Sequence, residues 1–167
     1  ERFVDEVAPG IIDNEAAKYY ANIVLPYGNQ VLKVLEAVKS LSMDMIAPSH
    51  GLIWRRPDDI QRIAGLYRKW ASHETEQKVV IVYDTMWHST EKMIVPVSEG
   101  IRAEGVGVKI IKLRATPTSI AIKEFWKARG ALIGSPTLNN ITYPSVAEFL
   151  THLRGLHPKN RIVGAFG

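Results

Sequence analysis

The sequence predicts an α/β fold: a doubly wound parallel sheet in its second half, preceded by a smaller mixed segment. Three observations predict it. Apolar runs and helix-length patterns alternate four times after residue 77. The stretches Val79-Val80-Ile81-Val82-Tyr83 and Ala131-Leu132-Ile133-Gly134 carry no charge, as strands buried on both faces do. Each run is followed by a segment long enough for a right-handed βαβ crossover.

In the first half, Asp13-Asn14-Glu15 offers a cap for a helix through about Ile23, and Pro26-Tyr27-Gly28 interrupts it. A second helix carries Val31, Leu32, Leu35 and Val38 on one face. Met43-Asp44-Met45-Ile46-Ala47 is a short strand candidate that stops at Pro48-Ser49-His50-Gly51. A third helix has Pro57 at its first position and Asp58 and Asp59 in its first turn, with Ile60, Ile63, Ala64, Tyr67 and Trp70 inward. The polar stretch at 73–77 reads as a linker. Beyond it come strand 78–84, helix 91–104, strand 108–114, helix 118–128, strand 131–135, helix 144–155 and a last run at 161–167. Strand 108–114 alternates apolar and basic residues over its second half, which places it nearer a sheet edge. Pro96 falls inside the helix at 91–104 and predicts a kink or a displaced first turn.

A chain of 167 residues holds one large domain or two small ones, and 46% apolar residues suffice for a core. No apolar run approaches the length of a membrane span, and the N-terminus is neither a basic nor an apolar leader. The chain lacks an initiator Met, which suggests a start within a longer protein. The absence of Cys excludes disulfides and thiolate-held metal, and fits a reducing compartment. The net charge of +4 is spread along the chain, so nucleic acid is not an expected partner.

The chemistry points to the strand ends. Strand 78–84 breaks off at Thr85-Met86-Trp87-His88-Ser89-Thr90 and a helix begins. A hydroxyl-rich turn at a helix N-terminus is an anion site, because free backbone N–H groups and the helix dipole face it. The second loop is Ser135-Pro136-Thr137-Leu138-Asn139-Asn140, and a third begins at Ala165-Phe166-Gly167. In a parallel sheet these loops share the carboxyl edge, where such folds bind ligands. Neither Gly-x-Gly-x-x-Gly nor Gly-Lys-Ser/Thr is present, which argues against dinucleotide and Walker-type sites. A flavin mononucleotide (FMN) suits these loops, with phosphate at 85–90 and the ring near Trp87 and 135–140.

Tyr83-Asp84-Thr85-Met86-Trp87-His88-Ser89-Thr90-Glu91-Lys92-Met93, Gly134-Ser135-Pro136-Thr137-Leu138-Asn139-Asn140 and Gly164-Ala165-Phe166-Gly167, in this order, resemble the flavodiiron proteins, or A-type flavoproteins. Pro48-Ser49-His50-Gly51-Leu52-Ile53-Trp54 resembles the family segment that carries the last histidine ligand of the diiron site. The resemblance implies that residues 1–74 are the C-terminal part of a metallo-β-lactamase-like αββα domain. Residues 78–167 would be the first part of a flavodoxin-like domain, its sheet incomplete. It implies FMN, two iron ions with His50 as one ligand, and reduction of dioxygen to water or nitric oxide to nitrous oxide. It further implies a cytoplasmic, membrane-free protein fed by a rubredoxin or a reduced coenzyme. Assembly would be a head-to-tail homodimer or dimer of dimers, in which FMN of one subunit abuts iron of the other. The family's His-x-Glu-x-Asp-His motif and bridging aspartate are absent, so the chain reads as an internal fragment.

Plainer readings stand beside these. His50 can cap a turn, His88 can be a solvent-facing loop residue, and Trp87 can be core packing. His73, His152 and His157 fall in linker or helix-end contexts. Trp54 and Trp87 are candidates for an intersubunit surface, and Trp70 and Trp126 for the core. Asp84 would repel a phosphate, so a turn or cap acceptor suits it better. A plain FMN electron carrier, without iron, is the alternative function.

Overall fold

Pro9, not the Asp13-Asn14-Glu15 run, opens the first helix in the computed structural model, which describes residues 2–167. Helix α1 spans Pro9–Tyr19, with extended Ala8 before it and the proline ring supplying a preset φ at the first position. Asp13 instead pairs with Arg62. Pro26 does not end the helical course. It has no N–H for the Asn22 carbonyl, and the chain answers with a π turn, Tyr20–Val24, and a 3-10 turn, Leu25–Tyr27. Helix α2 (Gly28–Ala37) follows directly.

Helix α3 (Pro57–Ala71) starts at Pro57 as expected and buries Ile60, Ile63, Trp70 and Ala71. Tyr20 packs edge-on to Tyr67 at 5.3 Å between ring centroids, and both rings meet Trp70. Arg62 bridges Asp13 and Asp59, tying α1 to α3. The expected strand at 43–47 is only a single antiparallel bridge, Ile46 to Trp54. Asp44 and the exposed Met43 and Met45 give it no second row to bury. Trp54 is 7% exposed, with Arg62 over its ring, so it is not the free surface aromatic expected. This first compact unit ends at Glu74 and the second begins at Thr75.

The second unit holds a four-stranded parallel sheet, with Gly107–Lys112 (β2) at one edge, then Glu76–Tyr83 (β1), then Ala128–Gly134 (β3), and Ile162–Phe166 (β6) at the other edge. That is the order of the first four strands of a flavodoxin-like sheet. Glu76 and Gln77 belong to β1 rather than to a linker: Glu76 pairs with Ala128, and its carboxylate meets Lys78 and Lys127. Strand β2 lies at the sheet edge and stops at Lys112, where Leu113–Ala115 makes a 3-10 turn before Thr116 and Pro117.

Helices α4 (Ser89–Ala103), α5 (Thr118–Lys127) and α6 (Pro144–Leu156) cover the sheet. Alternate β1 side chains point to opposite faces. Ile81 and Tyr83 pack with Ile94 of α4, and Val97, Ile101 and Leu132 close over them. On the other face Ile122, Phe125 and Trp126 of α5 are buried, and Phe125 stacks edge-on to Phe149 of α6 at 5.9 Å. Helix α4 runs through Pro96 without a break. Val146, Phe149 and Leu153 of α6 are buried, while Leu150 is 40% exposed.

Candidate functional site

The sheet order reverses between β1 and β3, so their carboxyl ends open a crevice of the kind in which α/β folds hold ligands. Backbone hydrogen bonds join the three predicted loops at this edge. Asp84 N–H donates to the Gly134 carbonyl at 3.2 Å, and Ser135 N–H to the Phe166 carbonyl at 3.0 Å. Gly167, with φ of 150°, lies against Ser135 so closely that a Cβ would fall 1.9 Å from the Ser135 carbonyl oxygen.

The turn after β1 is built on Asp84, which is fully buried. Its Oδ1 accepts from Thr85 N–H at 2.8 Å and from Arg114 Nε at 2.8 Å, and its Oδ2 accepts from Ser145 Oγ at 2.6 Å. Arg114 also donates to the Thr85 carbonyl. Asp84 is thus a turn acceptor, as its sequence position suggests, and it raises the already high pKa of Arg114. Arg114 and Ser145 were not legible as site residues. Arg114 closed an edge-strand pattern, and Ser145 followed a helix-starting proline. Their one available signal was position at the carboxyl edge.

Among the turn residues, Thr85 and Thr90 are each 1% exposed and Ser89 is exposed. Met86 is half-buried. Thr85 Oγ1 has no hydrogen-bond partner among the described residues. A buried hydroxyl left unpaired costs about 1–3 kcal/mol, so this turn holds donor capacity for a group from outside the chain. His88 has φ of 64° and its carbonyl accepts from Lys92 N–H at 3.0 Å. That bond starts α4 and leaves the amides of Ser89, Thr90 and Glu91 without intrahelical acceptors. This donor set suits a phosphate. Trp87 is 78% exposed, so it is a surface ring and not core packing.

Glu91 organises the first turn of α4. Its Oε1 accepts from Tyr83 Oη at 2.9 Å and Lys112 Nζ at 2.8 Å, and its Oε2 lies 2.6 Å from His88 Nδ1. Lys112 first, then His88 and Tyr83, hold its carboxyl at about 2. Burial, then Glu91, pushes the Tyr83 phenol up to about 12. His88 is solvent-exposed, as its plainer reading had it, yet is held by Glu91.

The second loop is more ordered than a binding loop need be. Thr137–Leu138 (β4) and Ile141–Thr142 (β5) form a small antiparallel hairpin. Asn139 and Asn140 make its two-residue turn, with φ of 49° and 62°. Both angles are positive, as a type I′ turn requires. Ser135 Oγ donates to the Pro136 carbonyl and accepts from Tyr143 N–H at 3.0 Å. A hollow of about 340 Å³ is lined by Ser135, Thr142, Ala165, Phe166 and Gly167, with Ile133, Val146 and Leu150 below. The 85–90 turn does not line it.

In the first unit His50 is exposed, its ring 6.0 Å from that of Tyr19. Among the described residues no group of three or more His, Cys, Asp and Glu side chains is placed to hold a metal ion. The chain by itself therefore does not fit a diiron centre. His73 and His157 have positive φ, and His157 closes α6 through its N–H to the Leu153 carbonyl. His152 is exposed, 4.0 Å from Glu148.

No protein-family model matches the chain. It is 47% identical to a nitric oxide reductase of Moorella thermoacetica, over 99% of this chain and 42% of that protein. It is 40% identical to a rubredoxin-oxygen oxidoreductase of Megalodesulfovibrio gigas, over 100% of this chain and 42% of that protein. The solved rubredoxin oxygen:oxidoreductase of Desulfovibrio gigas superposes with a TM-score of 0.96 at 40% identity, covering 100% and 42% of the two chains. The flavodiiron protein of Giardia intestinalis superposes at 0.94 with 28% identity, covering 100% and 41%. The chain spans about two fifths of the length of these relatives. No described helix is long and apolar enough to cross a membrane. In sequence and in backbone course alike, the chain is a homologue of the flavodiiron proteins from end to end.

Proposed function

We propose that the intact protein is an FMN- and iron-dependent oxidoreductase that reduces dioxygen to water or nitric oxide to nitrous oxide. The observation that carries this reading is the crevice between β1 and β3. There three loops meet, one of them at a helix N-terminus with an unpaired buried hydroxyl. Homology over the whole of this chain, and over about two fifths of their length, to proteins named for these two activities supports the reaction class.

Thr85, Ser89, Thr90 and the first amides of α4 would hold the phosphate. Residues 86–88 would shape that end of the site, with Trp87 offering a flat wall to the ring. Residues 135–140 and 165–167 would form the opposite rim. FMN, when bound, supplies redox chemistry in one- or two-electron steps. The chain's contribution is to bind and orient: the Asp84 turn fixes Thr85, the Asn139-Asn140 hairpin stiffens the second loop, and the hollow beside Phe166 would offer apolar surface at the opposite rim.

His50 would give one imidazole to a metal site whose other ligands lie outside this chain, in a lactamase-like domain to which residues up to Glu74 contribute. We assign the protein to the cytoplasm, with a rubredoxin or a reduced coenzyme as donor and a head-to-tail homodimer as the working unit.

Two variants of the full-length protein test this. Ser89→Ala with Thr90→Ala should weaken FMN binding by about 1–3 kcal/mol per lost charge-assisted hydrogen bond, measured by flavin fluorescence titration. Unchanged affinity would remove the phosphate assignment. His50→Ala should lose bound iron, by metal analysis, while the flavin spectrum stays as it was. Full iron content in that variant would discard His50 as a ligand, whereas an intact wild-type protein that holds no iron would leave the plain flavin carrier.

A further inference from the structure

We propose that Arg114 is a positioning residue for the phosphate end of the flavin site, acting through Asp84 and the Thr85 carbonyl. This rests on the FMN reading above. A carboxylate immediately before an anion-binding turn is unfavourable unless its charge is answered, and Asp84 is fully buried. Arg114 answers it. Its Nε bonds Asp84 Oδ1 at 2.8 Å while its other arm donates to the Thr85 carbonyl. The Thr85 N–H is held by the same carboxylate at 2.8 Å. Both peptide groups of Thr85 are thereby fixed, and with them the direction of the one buried hydroxyl in the turn that lacks a partner.

The device reaches beyond the turn. The Arg114 guanidinium lies 5.5 Å from the Tyr143 ring centroid, and Tyr143 N–H donates to Ser135 Oγ at the start of the second loop. Ser145 secures the remaining oxygen of Asp84 at 2.6 Å. The 3-10 turn after β2 and the start of α6 are thus fastened to the first residue of the phosphate turn. A planar guanidinium can serve a carboxylate and a carbonyl together, whereas an ammonium is a point charge without that fork. The consequence is a selectivity. Arg114 bonds the phosphate turn directly and reaches the loop beside the ring only at one remove, through Tyr143, and so it separates FMN from unphosphorylated riboflavin.

The test titrates the flavin-stripped full-length protein with FMN and, separately, with riboflavin. Arg114→Gln should weaken FMN about ten- to a hundredfold and riboflavin by less than about twofold, the loss expected for one or two hydrogen bonds to a charged group. Arg114→Lys should recover only part of the FMN affinity. Ser145→Ala, which leaves the ion pair in place, should move the FMN-to-riboflavin ratio in the same direction by a smaller factor, and it decides the matter with Arg114→Lys if Arg114→Gln does not fold. Equal losses for the two flavins would make Arg114 merely structural. An unchanged ratio in the variants, or full rescue by lysine, would also overturn the proposal. A wild-type protein that does not prefer FMN would instead overturn the FMN reading itself.

Discussion

Glu91 carries a prediction that belongs to a single residue. With Lys112, His88 and Tyr83 on its two oxygens, its folded pKa of about 2 lies below its ordinary 4.5. The depressed value means that Glu91 stabilises the folded chain above about pH 4.5, and that this contribution is lost as pH falls toward 2. Glu91→Gln should therefore flatten the acid limb of melting temperature against pH while changing little above pH 6 beyond a constant offset. An acid limb as steep as wild type would show that other carboxylates govern it. Glu91 also shows why side-chain roles were less legible than loops. Its partners come from β1, β2 and the turn, and nothing in their spacing along the chain announces that they converge. Thr85, Ser89 and Thr90 were readable because a hydroxyl run between a strand and a helix has one obvious geometry. Arg114 was not, because its partner Asp84 stands thirty residues away.

At the scale of elements, strands and helix types followed from pattern, and boundaries moved where a local device outweighed it. Pro9 displaced a good capping run, π and 3-10 turns absorbed Pro26, and a type I′ hairpin ordered what read as open loop. The strand at 43–47 failed because its pairing partner offers one bridge only. Close packing of β3 yields the prediction at this scale. A Cβ on Gly134 would lie 2.6 Å from Phe166 Cζ and 2.9 Å from Tyr83 Cβ. Gly134→Ala should destabilise the second unit by about 1–3 kcal/mol, the usual cost of overfilling a packed core, read as a lower denaturant midpoint. It should also loosen FMN, since Phe166 and Ser135 meet across this point. A neutral Gly134→Ala would mean that Phe166 swings away freely and does not brace the site.

At the scale of the molecule, βαβ alternation made the parallel sheet readable, while the strand order, which creates the crevice, came from the resemblance and the structure. The proposed head-to-tail dimer predicts complementation. A flavin-site variant and an iron-site variant should each be inactive alone, yet mixed dimers should regain one working junction, because a two-fold pair contains two equivalent ones. Verified heterodimers without activity would end the cross-subunit scheme. The distribution of tryptophan has an optical consequence. Trp54, Trp70 and Trp126 are 7%, 7% and 1% exposed, whereas Trp87 is 78% exposed. The intrinsic emission of this chain should therefore split into a blue, shielded component and a red one that belongs to Trp87 alone. Iodide should quench only the red component. A flavin laid against the turn should extinguish that component and leave the shielded one as an internal standard, so the site reports its own occupancy without a label.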